Sequence, residues 1–386
     1  MISVDQALAH VLALADQMTP ETLPLRRAAG RILAAPIIAT RNQPSFRASV
    51  MDGYAVAGDF DRYQVIGEAA AGHAFQGDIT PGQCVRIFTG APLPDGATRV
   101  VIQEDVQRTG ATIALADTAE TQRYIRDIGT DFKTGDRIDA PRRLTPAVLA
   151  LAASMNVANV VVARRPVVAL IATGDELVMP GETPKPDQII ASNSFGLSAL
   201  VESEGAEARL LPIARDTDTS LRAAFDMARD ADLIVTIGGA SVGDHDLVGK
   251  VAAELGLDRS FYKIAMRPGK PLMAGRLHNT PMIGLPGNPV SSMVCGHIFL
   301  RPLLRAMQGL PPAALPVQTA TLAAPLSANG PREHYMRAVI DGDRITALDR
   351  QDSSLMSVLA DANALLVRPP HDPEKTTGAA VKFIKT

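Results

Sequence analysis

Between residues 166 and 308, short uninterrupted apolar runs alternate with amphipathic segments of helical period. Runs such as VVALIA, LIVTI and PMIGL lack polar alternation, which is typical of strands that are buried on both faces. Strands that alternate with helices predict a three-layer α/β domain over 166–310, built on a parallel sheet. The predicted strands are 167–172, 208–213, 233–237, 261–265, 271–275 and 281–285, and the predicted helices are 193–204, 220–229, 247–255 and 289–307.

The loops that follow these strands are rich in glycine and in charge. In an open parallel sheet, ligands bind beyond the carboxyl ends of the strands, where such loops leave the sheet. Glycines allow backbone N–H groups to surround an anion, and a helix start adds partial positive charge. Arg267 and Lys270 add full charges for a phosphate or a tetrahedral oxyanion. The loops are residues 173–176, 238–246, 266–271 and 286–289.

Acidic residues share these loops. Asp175, Glu176, Asp244 and Asp246 would repel an anion unless a hard cation lay between them, which implies Mg²⁺. Each feature has an ordinary alternative, since a Gly-Gly pair commonly forms a tight turn and Asp175 and Glu176 could be solvated. His245 is better explained as a loop side chain than as a metal ligand. Because four polar loops meet at one edge of one sheet, we predict a phosphate-plus-magnesium site.

Two familiar motifs are excluded. Gly243 and the pair Gly249-Lys250 resemble a P-loop, but five residues separate the glycines and Val251 stands where Ser or Thr is needed. The sequence contains no HExxH motif and no Cys/His cluster with zinc-ligand spacing.

The remaining chain flanks this domain. Helical patterns over 3–18, 24–37 and 144–157 lead us to expect that residues 1–40 and 137–165 pack together as an elongated helical N-terminal body. The first of these helices carries a capping box at Ser3 and Gln6.

Short alternating runs separated by Gly-containing turns predict a small β domain over 41–136, inserted into the helical body. A proline-rich linker at 311–316 precedes a C-terminal β-barrel-like domain over 314–386, with a hairpin at Asp341-Gly342. Within the inserted domain, the loops around Asp52, Thr89 and 126–131 have the spacing of ordinary surface turns.

Composition excludes several classes of function. The net charge of −3 and the absence of Trp argue against a nucleic-acid partner. No apolar stretch approaches the ~20 residues that span a bilayer, and the N-terminus lacks the pattern of a signal peptide. We therefore expect a cytoplasmic protein with no membrane partner. Cys84 and Cys295 lie in apolar runs and are predicted to be buried, reduced thiols.

Six segments together resemble the molybdopterin molybdenumtransferase family, known in bacteria as MoeA and in animals as the E domain of gephyrin. They are SVMDGYA, FTGAPLPDGATRVVIQED, IATGDEL, GGASVGDHD, RPGKP and GLPGNPVS, in family order. They span residues 49–291, and the helical N-terminus and β tail fit the family's four-domain layout. The resemblance implies that adenylylated molybdopterin and molybdate are the substrates, that molybdenum enters the dithiolene, and that Mg²⁺-dependent hydrolysis releases AMP.

The resemblance also implies roles for particular residues. Catalytic roles fall to Asp52, Asp175, Glu176 and Asp246, of which Asp175, Glu176 and Asp246 would hold Mg²⁺. Asp216 matches a further functional acid, although it could equally cap a helix. The substrate-binding set comprises Thr89, Arg126, Asp131, Gly238, Gly239, Ser241, Lys263, Arg267, Lys270, Pro286, Asn288 and Ser291.

The family picture places one subunit's β domain against the other subunit's α/β cleft, so a homodimer is implied. The adenylylating enzyme and apo-molybdoenzymes are further expected partners. The chain departs from the family at Arg267, where Lys is usual, at 126–131, where an arginine run is common, and in the tail segment QDSSLM.

Two rival functions share the fold. A molybdopterin-adenylylating enzyme uses the same α/β module but commonly lacks the inserted domain and the β tail. A non-catalytic scaffold would have little reason to keep Asp52, Asp175, Glu176 and Asp246. Tungstate in place of molybdate stays open, because the two oxyanions are nearly equal in size and charge.

Overall fold

The computed structural model describes residues 1–239 and 247–386. The chain divides into two compact units: the first comprises residues 1–21 together with 163–386, and the second comprises residues 22–162. Across the described ranges we find no helix that has both the length and the hydropathy needed to cross a bilayer. Cys84 and Cys295 are buried and unpaired, as predicted.

The first helix, α1 (Val4–Leu12), begins at the capping box predicted for Ser3. It is shorter than the predicted helix over 3–18. Arg276 donates hydrogen bonds to the Leu14 carbonyl (3.0 Å) and to both carboxylate oxygens of Asp16 (2.7 and 2.9 Å). These bonds hold the chain in a turn where the apolar period by itself would have continued the helix.

The second unit is mostly β-structure. Its elements are β1 (Pro20–Pro24), a 3₁₀ turn (Leu25–Arg27), β2 (Ile32–Leu33), β3 (Ile37–Ile38), β4 (Ala48–Ser49), β5 (Gly53–Val56), β6 (Arg62–Ala69), β7 (Gln83–Ile87), β8 (Arg99–Ile102), a 3₁₀ turn (Gln103–Asp105), β9 (Val106–Thr109), β10 (Thr112–Leu115), β11 (Ile125–Arg126), β12 (Arg137–Ile138), β13 (Arg142–Arg143), α2 (Pro146–Ser154) and β14 (Asn159–Ala163).

The predicted helix over 24–37 is wrong, and the part expected to be a helical body is a mixed layer. Strands β1, β14, β2 and β13 form a four-stranded sheet in that order. Gly30 adopts a φ of +74°, a left-handed conformation that stops a helix after the 3₁₀ turn. Ile32 and Leu33 then pair with β13, so β-pairing overrides the helical spacing of this segment. Helix α2 confirms the helix predicted over 144–157, with Thr145 as its N-cap.

A six-stranded sheet, in the order β8-β5-β7-β6-β10-β9, forms the core of the predicted β domain. Ala55, Val85 and Ile87 pack on one face, whereas Tyr54 and Cys84 pack on the other. The central strand β5 begins directly after Asp52 and pairs with β7, which ends two residues before Thr89. The sheet therefore brings the two loops that carry these residues to one end.

The α/β part of the first unit follows the predicted alternation. Its elements are β15 (Val167–Ala172), β16 (Leu177–Val178), β17 (Ile189–Ile190), α3 (Asn193–Ser203), β18 (Glu207–Leu210), α4 (Asp218–Met227), β19 (Leu233–Ile237), α5 (Leu247–Glu254), β20 (Leu257–Lys263), β21 (Met266–Arg267), β22 (Pro271–Leu277), β23 (Thr280–Leu285), α6 (Pro289–Cys295), a π-helical turn (Gly296–Leu300) and α7 (Arg301–Met307).

The main sheet has the order β18-β15-β19-β23-β22-β20, and its first four strands are parallel as predicted. Strand β22 is antiparallel to both of its neighbours, which corrects the prediction of an all-parallel sheet. Only His278 and Asn279 connect β22 to β23, and a two-residue connection can join only antiparallel strands. Because β22 reverses, β20 again points the same way as β23, and its carboxyl end lies at the same sheet edge.

Helices cover both faces of this sheet, as a three-layer fold requires. One face packs against α1, α3, α6 and α7, and the opposite face packs against α4 and α5.

The C-terminal elements are β24 (Gln318–Leu322), β25 (Glu333–Asp341), β26 (Arg344–Ala347), α8 (Met356–Ala360), β27 (Ala364–Arg368) and β28 (Ala380–Lys385). They form a closed five-stranded barrel in the order β25-β26-β24-β28-β27, with β27 pairing back to β25. The hairpin predicted at Asp341-Gly342 is confirmed, with Gly342 at φ +56°. Strand β21 pairs with β25 and so joins the α/β part to the barrel.

Candidate active site

The carboxyl edge of the α/β sheet contains a cleft of about 480 Å³. All four predicted loops contribute to it. Loops 173–176 and 286–289 contribute several residues each, loop 238–246 contributes Gly238 and Gly239, and loop 266–271 contributes Pro271 alone. Its lining residues are Ala172, Thr173, Gly174, Glu176, Leu177, Ile189, Ile190, Ala191, Ser192, Asn193, Ser194, Asp216, Ile237, Gly238, Gly239, Leu247, Pro271, Pro286, Gly287, Asn288 and Pro289. The position matches the edge at which open α/β sheets bind ligands.

The loop after β15 folds tightly against the sheet edge. Gly174 has a φ of +144° and donates its N–H to the Ala214 carbonyl at 3.1 Å. This φ favours glycine, and a Cβ at this position would lie 2.2 Å from a carboxylate oxygen of Glu176, so a larger residue would displace that side chain. The Asp175 carboxylate accepts the backbone N–H of Asp216 at 3.1 Å.

The Gly-Gly loop after β19 is closely packed. Gly238 and Gly239 both have positive φ, at +92° and +64°, and a Cβ on Gly239 would lie 2.1 Å from Val248. Because neither glycine has a side chain, the main-chain atoms of both residues line the cleft directly. The loop therefore has room for a ligand that contacts the main chain.

Asn193, in the first turn of α3, was not predicted as a site residue. Its Nδ2 atom donates to the Gly287 carbonyl at 2.7 Å, and it lines the cleft together with Pro286 and Asn288. Its Oδ1 atom is buried and has no hydrogen-bond partner among the described residues. Asn288 in turn donates to the Ser353 hydroxyl of the barrel at 3.3 Å.

The segment between β20 and β22 is held on two sides. The Ile264 N–H bonds to the Lys270 carbonyl at 3.1 Å, and Arg267 pairs in register with His334 of β25. Gly269 has a φ of +112°, and a Cβ there would lie 2.5 Å from the buried Cys295 sulfur. The structure thus places the predicted cations Lys263, Arg267 and Lys270 in one short, braced segment. Ser291 is buried in α6.

Arg337, on the barrel strand β25, is the cation that sequence reasoning missed. It is fully buried, and its Nη2 atom donates to the Asp352 carbonyl at 3.1 Å. Its Nε and Nη1 atoms have no hydrogen-bond partner among the described residues. Burial lowers the pKa of Arg337, and the neighbouring charge of Arg267 lowers it further. The segment HYMRAVI contains no motif that would have marked this arginine as a site residue.

Magnesium can be tested against the acids of the cleft. Glu176 and Asp216 line it. Asp175 precedes Glu176 in the chain, and its carboxylate accepts the backbone N–H of Asp216. Within 1–239 and 247–386, no group of three Asp, Glu, His or Cys side chains is placed to hold a metal by itself. Mg²⁺ usually binds through one or two carboxylates together with substrate phosphates, so this donor set fits it. The predicted residues Ser241 and Asp246, with Asp244 and His245, lie outside the described residues.

In the inserted β domain, Asp52 and Thr89 are in direct contact. The Asp52 carboxylate accepts the backbone N–H and the hydroxyl of Thr89, both at 2.8 Å. These two bonds lower the pKa of Asp52, against a smaller effect of burial, and the charge of Arg86 lowers it slightly more. Arg86 also donates to the Gly53 carbonyl at 3.2 Å and lies 5.0 Å from the Tyr54 ring centre.

The other two predicted residues of this domain lie on neighbouring segments. Arg126 ends β11, in register with Ala48 of β4, and Ser49 of β4 bonds through its N–H to Ala91 of the Thr89 loop. Asp131 donates its backbone N–H to the Gln43 carbonyl at 2.9 Å. No side-chain contact links Asp131 to Asp52 among the hydrogen bonds that the described residues form.

Comparisons with known proteins agree with this architecture. Three family models match, described as the MoeA N-terminal region (domain I and II) over residues 2–156, a probable molybdopterin binding domain over 169–306, and the MoeA C-terminal region (domain IV) over 319–386. Molybdopterin molybdenumtransferase 2 of Mycobacterium tuberculosis is 35% identical and aligns over 97% of each chain. Molybdopterin molybdenumtransferase of Haemophilus influenzae is 38% identical over 80% of this chain and 78% of its own.

A solved structure is similar along its whole length. The crystal structure of a molybdopterin biosynthesis MoeA protein from Pyrococcus horikoshii has a TM-score of 0.83 and 29% identity, covering 100% of this chain and 99% of its own. These matches confirm the resemblance of the six motifs and the multidomain α/β plus β fold. The chain therefore belongs to the MoeA family, and it is an enzyme of the transferase class.

Proposed function

We propose that the chain acts as a cytoplasmic homodimer that transfers molybdenum from molybdate to molybdopterin. The relatives from Mycobacterium tuberculosis and Haemophilus influenzae are named molybdopterin molybdenumtransferases, which supports this proposal. Molybdopterin enters in adenylylated form, the metal binds the two dithiolene sulfurs, water opens the phosphoanhydride bond, and AMP leaves. The observation that carries the proposal is the buried guanidinium of Arg337, whose Nε and Nη1 atoms have no hydrogen-bond partner among the described residues and which is repelled by the charge of Arg267.

The arginine pair supports an oxyanion site. The charge of Arg267 repels the Arg337 guanidinium, and burying a guanidinium with two unpaired nitrogen atoms is costly even though the charge of Asp352 offsets part of that cost. A tetrahedral dianion such as molybdate removes both costs, because it can accept hydrogen bonds from the free Nε and Nη1 atoms of Arg337. We assign Lys263, Lys270 and Ser291 to the same anion-binding set.

The cleft supports the phosphorylated part of the substrate. Gly238, Gly239, Pro286 and Asn288 would contact the phosphates. Mg²⁺ would be held by Asp175, Glu176 and Asp246, with Asp216 nearby, and would supply charge neutralisation and polarisation of the phosphoanhydride. The acids of this chain would then orient the water that opens the anhydride.

The dimer is part of the proposal. We divide the chain into residues 1–40 with 137–165, 41–136, 166–310 and 314–386, and we assign Asp52, Thr89, Arg126 and Asp131 to the partner subunit's cleft. Co-expressed dimers that combine an Asp52→Ala subunit with an Asp175→Ala subunit test this arrangement. About half of the activity at most should return in the mixed dimer, whereas a site built within one subunit would give none.

Reconstitution tests the reaction. Purified protein receives adenylylated molybdopterin, molybdate and Mg²⁺, while AMP release and activation of an apo-molybdoenzyme are followed. We expect both signals to require molybdate, and a parallel arm with tungstate measures metal preference. AMP release that is independent of the oxyanion would overturn the proposal. An arm with ATP and unmodified molybdopterin detects the rival adenylylating activity.

Substitution at the arginine pair tests the oxyanion site. In Arg337→Met, the KM for molybdate should rise about 10–100-fold, since a charge-assisted hydrogen bond contributes about 1.5–3 kcal/mol. The KM for adenylylated molybdopterin should change little. The matched control is Arg229→Met, which removes an exposed arginine that pairs only with Asp226 among the salt bridges found. Equal effects on both substrates would show that Arg337 has a general structural role.

A further inference from the structure

The loop that carries Asp175 and Glu176 depends on an arginine that the proposed mechanism does not use. Arg215 lies between β18 and α4, and its Nη1 atom donates to the carbonyls of Gly174 (3.3 Å), Asp175 (3.2 Å) and Leu177 (2.9 Å). Three carbonyl dipoles from four consecutive residues therefore converge on one positive nitrogen. Without a cation at this point, the three oxygens would repel one another.

The base of this arginine is itself rigid. Residue 214 forms an isolated parallel bridge with Thr173, and the Ala214 N–H bonds to the Ala172 carbonyl at 2.9 Å. The Arg215 N–H bonds to the Ser220 hydroxyl at 2.9 Å, in the first turn of α4. The guanidinium is therefore carried by backbone that is fixed to both the sheet edge and a helix.

The next residue fixes the carboxylate of the same loop. The Asp216 N–H donates to Asp175 Oδ1 at 3.1 Å. Arg215 therefore binds the backbone of the loop, and Asp216 binds the Asp175 carboxylate. The described residues that line the cleft include Glu176 and Asp216 but not Arg215. The arginine thus contacts the loop from behind, and its Nη1 atom points at main-chain carbonyls instead of the cleft.

We infer that Arg215 is a positioning residue: by collecting the carbonyls of residues 174, 175 and 177, it holds Asp175 and Glu176 in the orientation that the proposed transfer reaction needs. The inference rests on the proposed function for its effect on turnover, but its structural part does not. It predicts that the loop loosens when the guanidinium is removed. Displacing acids by about 1 Å can cost about 100-fold in rate.

The first test measures the loop without any substrate. In Arg215→Ala, amide hydrogen exchange at Gly174 and Leu177 should accelerate about 10-fold or more, because the local opening free energy falls. Mn²⁺, used as a spectroscopic stand-in for Mg²⁺, should bind about 10–100-fold more weakly, as when a residue behind a metal ligand is lost. Arg209→Ala is the matched control, since it removes an arginine of β18 that pairs with Asp230.

The second test separates positioning from contact with substrate. In reconstitution, Arg215→Ala should lower kcat about 100-fold while the substrate KM values change little, which is the signature of misplaced groups. Arg215→Lys keeps the charge but has one compact ammonium, and it should recover part of both the exchange protection and kcat. Guanidinium ion added to Arg215→Ala should restore activity, as a free replacement for the lost group.

The outcomes are distinguishable. Unchanged exchange at the loop in Arg215→Ala overturns the inference, whatever happens to turnover. Faster exchange with unchanged kcat also overturns it, because the loop would then be held for no catalytic purpose. If wild-type protein shows no molybdate-dependent AMP release, the proposed function fails, while the exchange and Mn²⁺ measurements still decide whether Arg215 orders the acidic loop.

Discussion

The Asp52 carboxylate accepts two hydrogen bonds from Thr89, one from its backbone N–H and one from its hydroxyl, each 2.8 Å long. Both bonds favour the ionised carboxylate and hold the pKa of Asp52 below its usual range. Because the folded-state pKa is lowered, the stability that these bonds contribute is fully present above the ordinary pKa of aspartate. This stability is lost as the pH falls through the lowered value.

Thr89→Val removes the hydroxyl donor and keeps the backbone one. We expect the pKa of Asp52 to rise toward the ordinary value, without reaching it, because the stronger backbone bond remains. Carbon-detected NMR titration of the Asp52 carboxyl measures this directly. Thr89→Ser keeps a hydroxyl and serves as the control. A Thr89→Val titration curve that overlays the wild-type curve would show that the hydroxyl does not influence the charge of Asp52.

Gly53 is required by backbone packing. A Cβ on this residue would lie 1.9 Å from the Val101 carbonyl oxygen of the paired strand. Gly53→Ala should therefore lower the free energy of unfolding by about 2 kcal/mol or more, as forced overpacking does. Denaturant unfolding measures the change. The control is Gly330→Ala, where no atom lies within 4 Å of the added carbon and the change should be about 0.5 kcal/mol or less.

Glu204 joins the end of α3 to α7. Its carboxylate, 3% exposed, accepts hydrogen bonds from Arg301 (2.7 Å) and Arg305 (2.8 Å). Burial alone would raise the pKa of Glu204, but the two arginines outweigh it and the pKa is lowered. Glu204→Ala should cost about 3 kcal/mol of stability, because it leaves two partly buried cations without a counterion.

Thermal unfolding of Glu204→Ala measures this cost. Its control is Asp226→Ala, which breaks the Arg229–Asp226 pair, whose side chains are 75% and 68% exposed. An exposed pair contributes about 0–1 kcal/mol, so the control should unfold close to the wild-type temperature. Similar losses in the two variants would contradict the role given to burial.

His297 predicts a dependence of stability on pH. Burial and, to a smaller extent, the charge of Arg301 lower its pKa to about 4, against an opposing effect of Glu204. Arg301 can only donate, which assigns the Nδ1 atom of His297 as the acceptor of their 3.1 Å hydrogen bond. A depressed histidine pKa contributes stability that is complete above the unfolded value of about 6.5 and is lost as the pH falls toward 4.

His297→Gln should therefore flatten the decline in unfolding free energy between about pH 6.5 and 4, by up to about 3 kcal/mol. The pKa of His334 is also lowered to about 4, mainly by burial, so the double variant with His334→Gln should be flatter still. Urea unfolding at a series of pH values measures the slopes. A slope that both variants leave intact would assign the acid sensitivity to other groups.

Local patterns determined most of the α/β part. The apolar runs over 167–172, 233–237 and 281–285 are strands in the structure, because uninterrupted apolar stretches bounded by glycine can be buried only as central strands or short helices. The strand-to-helix alternation placed the glycine loops at one edge, and the cleft lies there. The six motifs identified the family, which the comparisons confirm.

Tertiary structure decided what local patterns cannot contain. The segment 24–37 has helical spacing but pairs as strands, since its partners β13 and β14 lie more than a hundred residues away. Strand direction at β22 depends on a two-residue turn, which apolar runs do not reveal. No motif marks Arg215 or Arg337. Folding brings three distant carbonyls to Arg215, and it buries Arg337 with two unpaired nitrogen atoms. Electrostatic interactions act through space, so the residues that orient or charge a site need not carry any sequence pattern.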